Sequence, residues 1–241
     1  DLRSVELDDL LGRDPVNLDW EAMGQMIQNR RVLITGGAGS IGSELCRQVA
    51  RLEPEEITLF EQNEFSLYSL AMELEEQFPD VQFRRLLGDV CDPEAVQFVF
   101  SQYRPQVVFH AAAYKHVPML QAQLRETIRN NTVGTMVTAR AAVECGVQKF
   151  ILISTDKAVN PTSMMGVSKR LAEMVAQLNN AKSPTAFITV RFGNVLGSAG
   201  SVVPLFERQI RAGGPVTVTD PMMTRYFMTI SEACQLILQA C

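Results

Sequence analysis

The sequence predicts an α/β fold: a doubly wound parallel sheet with helices on both faces, joined to a smaller, apparently truncated second region. Three observations carry this. From Arg31 to Phe192, apolar β-rich runs alternate with stretches of helical periodicity, the order expected of right-handed strand–helix–strand units. The runs are nearly continuous rather than alternating, as strands covered on both faces should be. A glycine-rich turn, "TGGAGSIG", follows the first run and opens the first helix.

Taken in order, "RVLIT" (31–35) is the first strand, and "IGSELCRQVARL" after the turn has apolar residues at helical spacing. "EITLF" (56–60) and "EFSLYSLAMELEEQF" form the second strand and helix, and "VQFRRLL" (81–87) and "PEAVQFVFSQY" the third. "QVVFHAA" (106–112) precedes two helical stretches. "KFILIST" (149–155) precedes the turn and helix of "STDKAVNPTSMMGVSK" (154–169), and "AFITVRF" (186–192) closes the series. Beyond Arg191 the alternation gives way to "GNVLGSAGSVVP" and "RAGGPVTVTDP", whose glycines and prolines mark a boundary. The expected division is a lead-in over 1–30, the sheet domain over 31–192 and a partial, substrate-side region over 193–241. The polar, acidic opening and an ending inside the amphipathic "SEACQLILQAC" read as a piece of a longer protein.

Composition narrows the function. Hydrophobic residues make up 46% of the 241 and charged residues 20%, ordinary for a soluble globular chain. A net charge of −5 without a basic block argues against a nucleic-acid surface. The five cysteines are scattered and free of CxxC pairing, which reads as reduced thiols and a cytoplasmic setting. His110 and His116 have no spaced cysteine or carboxylate companions, so no metal site is expected. No apolar run approaches the roughly 20 residues that span a bilayer, and no signal peptide opens the sequence.

The glycine turn carries the first chemical reading. "TGGAGSIG" (35–42) contains both Gly37-x-Gly39-x-x-Gly42 and Gly36-x-x-Gly39-x-x-Gly42. Between a strand and a helix, this pattern lets the backbone approach a pyrophosphate that rests on the helix N-terminus. Glu61 ends the second strand, nineteen residues after Gly42, where a carboxylate can accept hydrogen bonds from ribose hydroxyls. "EQNEF" offers no arginine or lysine for a 2′-phosphate, which favours NAD over NADP. Asp89, in "GDVCD" (88–92), is expected against the adenine amino group. Thr155, Asp156 and Lys157 fall at the carboxyl end of the fifth strand, where an open α/β sheet places its ligands. Lys169 follows Met165 by four positions, on the same helix face.

Seven segments then show a likeness to a known family: "TGGAGSIGSEL", "GDVCD", "HAAAYKHVP", "NNTVGT", "STDKAVNPTSMMGVSK", "RFGNVLGSAGSVVP" and "DPMMTRYFMT". Spanning almost all of 31–229, they resemble the extended short-chain dehydrogenases/reductases of Rossmann fold, and among those the nucleotide-sugar 4,6-dehydratases of polysaccharide biosynthesis. The lead-in "VELDDLLGRDPV" is similar to the linker of the large, membrane-anchored UDP-N-acetylglucosamine (UDP-GlcNAc) 4,6-dehydratases. These also carry methionine where most relatives have a catalytic tyrosine.

The resemblance implies NAD as cofactor, a UDP-sugar as substrate, a homodimer paired through the helix of Lys169, and a membrane anchor upstream of residue 1 in the parent protein. It implies that Thr155 bonds the C4 hydroxyl, Asp156 is the general acid at C6 and Lys157 the base at C5. Those roles call for an aspartate with a raised pKa and a lysine with a lowered one. Lys169 is expected to hold the nicotinamide ribose, with Met165 beside it. Gly36, Gly39, Ser40, Ile41, Gly42, Val90, Ala111 and Ala112 complete the expected cofactor contacts. Asn194 and Arg225 match positions on the diphosphate side of the UDP-sugar, where the planar fork of arginine suits a diphosphate. For Lys115 and His116 a substrate contact and a solvated loop fit equally, and His110 reads as a packing residue. Two other functions remain open: a nucleotide-sugar 4-epimerase, which needs no acid and base at C5 and C6, and a non-catalytic dinucleotide-binding module.

Overall fold

The computed structural model describes residue 11 and residues 20–198, 200–218 and 220–241. Most of the lead-in, residues 1–10 and 12–19, lies outside the described residues. Six strands form one parallel sheet: β1 (Arg31–Thr35), β2 (Glu56–Glu61), β3 (Phe83–Leu87), β4 (Val107–His110), β5 (Lys149–Thr155) and β6 (Ala186–Phe192), in the order β3-β2-β1-β4-β5-β6. The chain winds outward from β1 to β3, then returns and winds the other way from β4. The order reverses between β1 and β4, where doubly wound sheets open a crevice at their carboxyl ends. Thr35 is in register with Phe60 on one side and His110 on the other. Thr155 pairs with Phe192.

Period-two alternation along the strands divides the core in two. Val32, Ile34, Ile57, Leu59, Phe109 and Ile151 face α2 (Ser40–Ala50) and α3 (Glu64–Gln77). Leu33, Phe60, Val108, Phe150 and Leu152 face α4 (Pro93–Tyr103), α7 (Gly134–Glu144) and α8 (Met164–Asn180). On that second face Ala139, Ala142, Ala172 and Ala176 are buried. Small side chains there let α7 and α8 lie close over the strands. Between β4 and α7 run α5 (Val117–Gln121), α6 (Leu124–Ile128) and a π-helical turn, Arg129–Val133.

Two strands are shorter than their apolar runs. β3 begins at Phe83 because Val81 N donates to Phe78 O at 3.1 Å, closing a turn after α3. β4 ends at His110, and Ala111 and Ala112 turn out toward the crevice.

After β6 come β7 (Asn194–Val195), α9 (Val202–Arg211), β8 (Phe227–Met228) and α10 (Ile230–Gln239). β7 and β8 pair in parallel as a separate two-stranded sheet. α10 returns to the main core: Cys234, Ile237 and Leu238 pack in the same cluster as Leu45 and Val49 of α2. Met23 and Ile27 of α1 (Trp20–Ile27) join that cluster, so a helix from the lead-in and a helix from the 193–241 region both complete one face of the sheet. Among the described residues no helix is long and apolar enough to cross a membrane.

Candidate active site

The glycine turn is shaped by contacts that exclude side chains. Gly36 has φ +64°, and its N–H donates to Phe60 O at 2.8 Å. A Cβ there would lie 2.6 Å from Ala112 Cα, and a Cβ on Gly42 only 2.2 Å from Gly36 O. Backbone therefore packs on backbone as α2 begins at Ser40, and no side chain caps Gly39 at its N-terminus. In front of the turn lies a cavity of about 260 Å³, lined by Gly36, Gly39, Glu61, Val90, Ala112 and Asn130 among others.

Glu61 is oriented by backbone amides. Its Oε1 accepts from Gln62 N and Asn63 N at 2.9 and 3.0 Å, and its Oε2 from Ala38 N at 3.3 Å. A carboxylate thus stands beside an open helix N-terminus and a bare backbone turn, which is the donor and acceptor set that a ribose and a pyrophosphate require. These residues fit NAD.

Asp89 departs from the sequence reading. It lies between the lining residues Gly88 and Val90 but does not itself line the cavity. Its carboxylate accepts from Arg129 Nη2 at 2.8 Å and from Cys91 N at 2.9 Å. Burial pushes this carboxyl up, but those bonds and the arginine charge outweigh it and hold it below the usual range. The group expected to meet the adenine is engaged in an ion pair.

A second cavity, of about 330 Å³, adjoins the first and shares Ala111, Ala113 and Tyr114 with it. Thr155, Lys157, Met165, Lys169 and Asn194 line it, with Ile41, Lys115 and His116. β5 ends at Thr155, and Asp156–Ala158 form one 3₁₀ turn. The first turn of α8 presses on this one: a Cβ on Gly166 would lie 2.3 Å from Lys157 O, and Ser163 caps the helix by accepting from Gly166 N. Met165, 4% exposed, is thereby fixed on the wall of the cavity.

Within the triplet, Asp156 Oδ1 accepts from Thr155 Oγ1 at 2.9 Å and from Lys157 Nζ at 3.0 Å. The expectation of a raised Asp156 pKa is corrected. Burial does push this carboxyl up, yet the bonds from Lys157 and Thr155 prevail and hold it below the usual carboxylate range. Lys169 is nearly buried, and its Nζ donates to Ile153 O at 2.5 Å. Burial lowers its pKa to about 8, against a raising contribution from Glu173. His110 is buried, with Thr35 Oγ1 and Thr135 Oγ1 at 2.8 and 3.1 Å from its ring nitrogens. Burial, and then the nearby Lys169 charge, lowers its pKa to about 3, so it is neutral.

Of the two residues expected on the diphosphate side, Asn194 lines the second cavity and Arg225 does not. Asn194 Oδ1 accepts from Lys157 Nζ at 2.8 Å, which makes it a partner of the triplet. Arg225 lines neither cavity: it is exposed, and its Nη1 donates to the neighbouring Thr224 O. Adjacent backbone captures its guanidinium.

The sequence reading missed Asn131 and Glu173. Asn131 donates to Tyr114 O and Ser168 Oγ, each at 3.0 Å, and accepts from Tyr114 N at 2.8 Å. It ties the loop after β4 to the helix of Lys169 from within the π-helical turn, an irregularity often found at functional sites. Its sequence signal was its place in "NNTVGT", one of the segments that carry the family resemblance, which assigned it no role of its own.

Comparison with known proteins adds the following. The profile of a family described as "Polysaccharide biosynthesis protein" matches residues 32–241. The capsular polysaccharide biosynthesis protein CapD of Staphylococcus aureus is 52% identical over 241 residues, and the probable polysaccharide biosynthesis protein EpsC of Bacillus subtilis 49% over 240. Each alignment covers 99% of this chain and 40% of the relative, so the chain spans about two-fifths of their length. A UDP-glucose 4-epimerase of Rickettsia bellii is 35% identical over 222 residues, 89% of this chain and 63% of the epimerase. Among solved structures, Pen from Bacillus thuringiensis superposes with a TM-score of 0.83 at 34% identity, covering 89% of this chain and 67% of Pen. WbmG of Bordetella bronchiseptica, in complex with NAD and UDP, gives 0.69 at 25% identity, covering 85% and 66%.

Proposed function

The chain belongs to the polysaccharide biosynthesis protein family, and on that premise we propose that it is the core of an NAD-dependent nucleotide-sugar 4,6-dehydratase acting on UDP-GlcNAc. One observation carries the reading: Thr155, Lys157, Met165 and Lys169 line a cavity that adjoins the one formed by the glycine turn and Glu61. Gly36, Gly39, Ser40, Ile41, Gly42, Val90, Ala111 and Ala112 are the proposed cofactor contacts around that turn. When bound, NAD supplies the reversible hydride acceptor that oxidation at C4 and reduction at C6 require.

The chain's own residues handle protons and position. Lys169 holds the nicotinamide ribose through its ammonium, and Thr155 bonds the C4 hydroxyl. Lys157 removes the C5 proton, and Asp156 protonates the C6 hydroxyl as it leaves as water. The ion pair in the structure, Asp156 Oδ1 to Lys157 Nζ at 3.0 Å, is the state that follows this elimination. As C6 is reduced, Lys157 returns its proton to C5. The proton that the C4 hydroxyl loses on oxidation passes by way of Thr155 to Asp156, whose Oδ1 accepts from Thr155 Oγ1 at 2.9 Å, which restores a neutral acid beside a neutral base. A sugar covering the pair excludes water, and desolvation favours the uncharged forms. Asn194 steadies the amine, and Lys115 lines the sugar cavity.

An exposed row on α8, Leu171, Met174 and Leu178, supports pairing of two copies through this helix. The resemblance of the lead-in supports an anchored parent protein at the cytoplasmic face of a membrane.

The test is incubation of the full-length protein with NAD and UDP-GlcNAc, followed by mass spectrometry. Loss of one water is expected. The Rickettsia relative favours the second reading, a 4-epimerase, which would change the sugar's configuration at unchanged mass. Unaltered sugar with NAD bound would overturn both readings in favour of a binding module.

A further inference from the structure

Glu173 has no exposed surface, yet it carries charge. Its carboxylate accepts from Ser154 Oγ at 2.7 Å, from Arg191 Nε and Nη2 at 2.7 and 2.5 Å, and from Arg170 Nη1 at 3.1 Å. Four bonds fill the roughly four lone-pair directions a carboxylate offers. Burial pushes this carboxyl up, but the bonds from Arg191, Ser154 and Arg170 outweigh it and hold it below the usual range.

The partners are placed in a telling way. Ser154 immediately precedes Thr155 on β5, Arg191 lies on β6 three residues before Asn194, and the two face each other in strand register. Glu173 itself follows Lys169 by one helical turn and Met165 by two. One carboxylate therefore joins the strand that ends in the triplet, the helix of Lys169 and the strand that leads to Asn194. Stability alone would not call for it, since well-packed apolar residues replace a buried ion pair at little or no cost.

We propose that Glu173 is a positioning residue of the candidate active site: it fixes α8 against the ends of β5 and β6, and keeps a negative charge one turn behind the Lys169 ammonium. The titratable groups that line the cavity with Lys169 are Tyr114, Lys115, His116 and Lys157, the last paired with Asp156, and neutral His110 lies buried nearby on β4. The kinetic part of this proposal rests on the dehydratase reading, whereas the charge part does not.

The charge part is read by a ¹³C-lysine NMR titration of the full chain, whose lysines are Lys115, Lys149, Lys157, Lys169 and Lys182. Glu173→Gln keeps size and an acceptor for Ser154 but removes the charge. Lys169 then titrates lower than in the unsubstituted protein, by about one pH unit or more; an unchanged Lys169 titration overturns the proposal, whether or not the protein dehydrates UDP-GlcNAc. Ser154→Ala leaves the buried charge paired with its arginines and tests the positioning arm. Turnover falls about tenfold at unchanged NAD affinity, and Ser154→Thr restores it; wild-type turnover in Ser154→Ala overturns that arm.

Discussion

Lys169→Met should make the protein more stable and less able to bind NAD. Lys169 is 7% exposed, and burial lowers its pKa from 10.5 to about 8. Holding the ammonium in the folded chain at pH 7 therefore costs about 3 kcal/mol. Methionine keeps the length of the stem and needs no solvation. Its replacement of lysine removes the Nζ bond to Ile153 O, which returns about 1 kcal/mol. The net gain is about 2 kcal/mol at pH 7, or about 4–8 °C in Tm for a chain of this size.

The sign reverses with pH. Between about pH 8 and 10.5 the unfolded wild type keeps a proton on Lys169 that the folded protein has released, so wild-type stability climbs through that window. The advantage of the variant shrinks over the same range and is gone by its upper end. Calorimetric melting of both proteins at pH 7 and pH 10 checks this, because other titrating groups cancel in the comparison. A variant that melts at or below the wild type at pH 7, or an advantage that stays constant to pH 10, would refute the reasoning. NAD affinity should fall at least tenfold, about 1.4 kcal/mol, with loss of the ammonium.

Glu61 beside the glycine turn should make NAD bind more tightly than NADP by at least roughly tenfold; equal affinities in calorimetric titration would remove its assignment. Asp156→Asn and Lys157→Met should each lower turnover by on the order of 10²–10⁴ with NAD affinity near wild type, and near-normal turnover in either variant would end its role. Gly42→Ala places a Cβ 2.2 Å from Gly36 O, where backbone must yield. It should cost about 1–3 kcal/mol of stability and most NAD affinity, against little change in stability for Gly39→Ala, whose Cβ clears Gly36 O at 3.4 Å. Met165→Tyr adds a hydroxyl at a nearly filled position and should leave turnover unchanged or lower; an increase would mark the methionine as a defect.

The six strands were legible because a parallel sheet buries both faces, so each strand is written as a local apolar run. Their ends were less so: Ala111 and Ala112 are apolar enough to extend β4 but serve the crevice instead. The places of α1 and α10 could not be read locally. Met23 and Leu238 join one cluster from almost opposite ends of the chain, and nothing near either states that meeting. The glycine turn was legible for the opposite reason, since only residues without Cβ satisfy its local geometry.

Site partners divide along the same line. The Thr155–Asp156–Lys157 bonds join neighbours in sequence, and their location after a strand end was visible. Arg129 meets Asp89 from forty residues away, and Asn194 meets Lys157 from thirty-seven. Neither pairing leaves a mark on local composition. Glu173 follows Lys169 by four residues, a visible spacing, but a glutamate in a helix that also carries arginine and lysine reads as solvated surface. Only the depth of α8 against β5 and β6 turns it into a buried anchor.

On the proposed reading Met165 stands where most relatives have a catalytic tyrosine, and the proton work falls to the residues around it. On the cavity wall α8 presents one thioether and one ammonium, whereas β5 and its turn present Thr155 and Lys157, with Asp156 bonded to both. A thioether neither gives nor takes a proton. Besides Lys169, proton-carrying groups bonded to one another at the cavity belong to three consecutive residues, with Thr155 capping the 3₁₀ turn of Asp156–Ala158. Their spacing is set by the backbone and does not depend on how a helix is rotated against a strand. Lys169 does depend on that rotation, and α8 is the element that Asn131 and Glu173 tie from two sides. The buried polar network of this protein is concentrated where a covalent neighbour cannot supply the geometry.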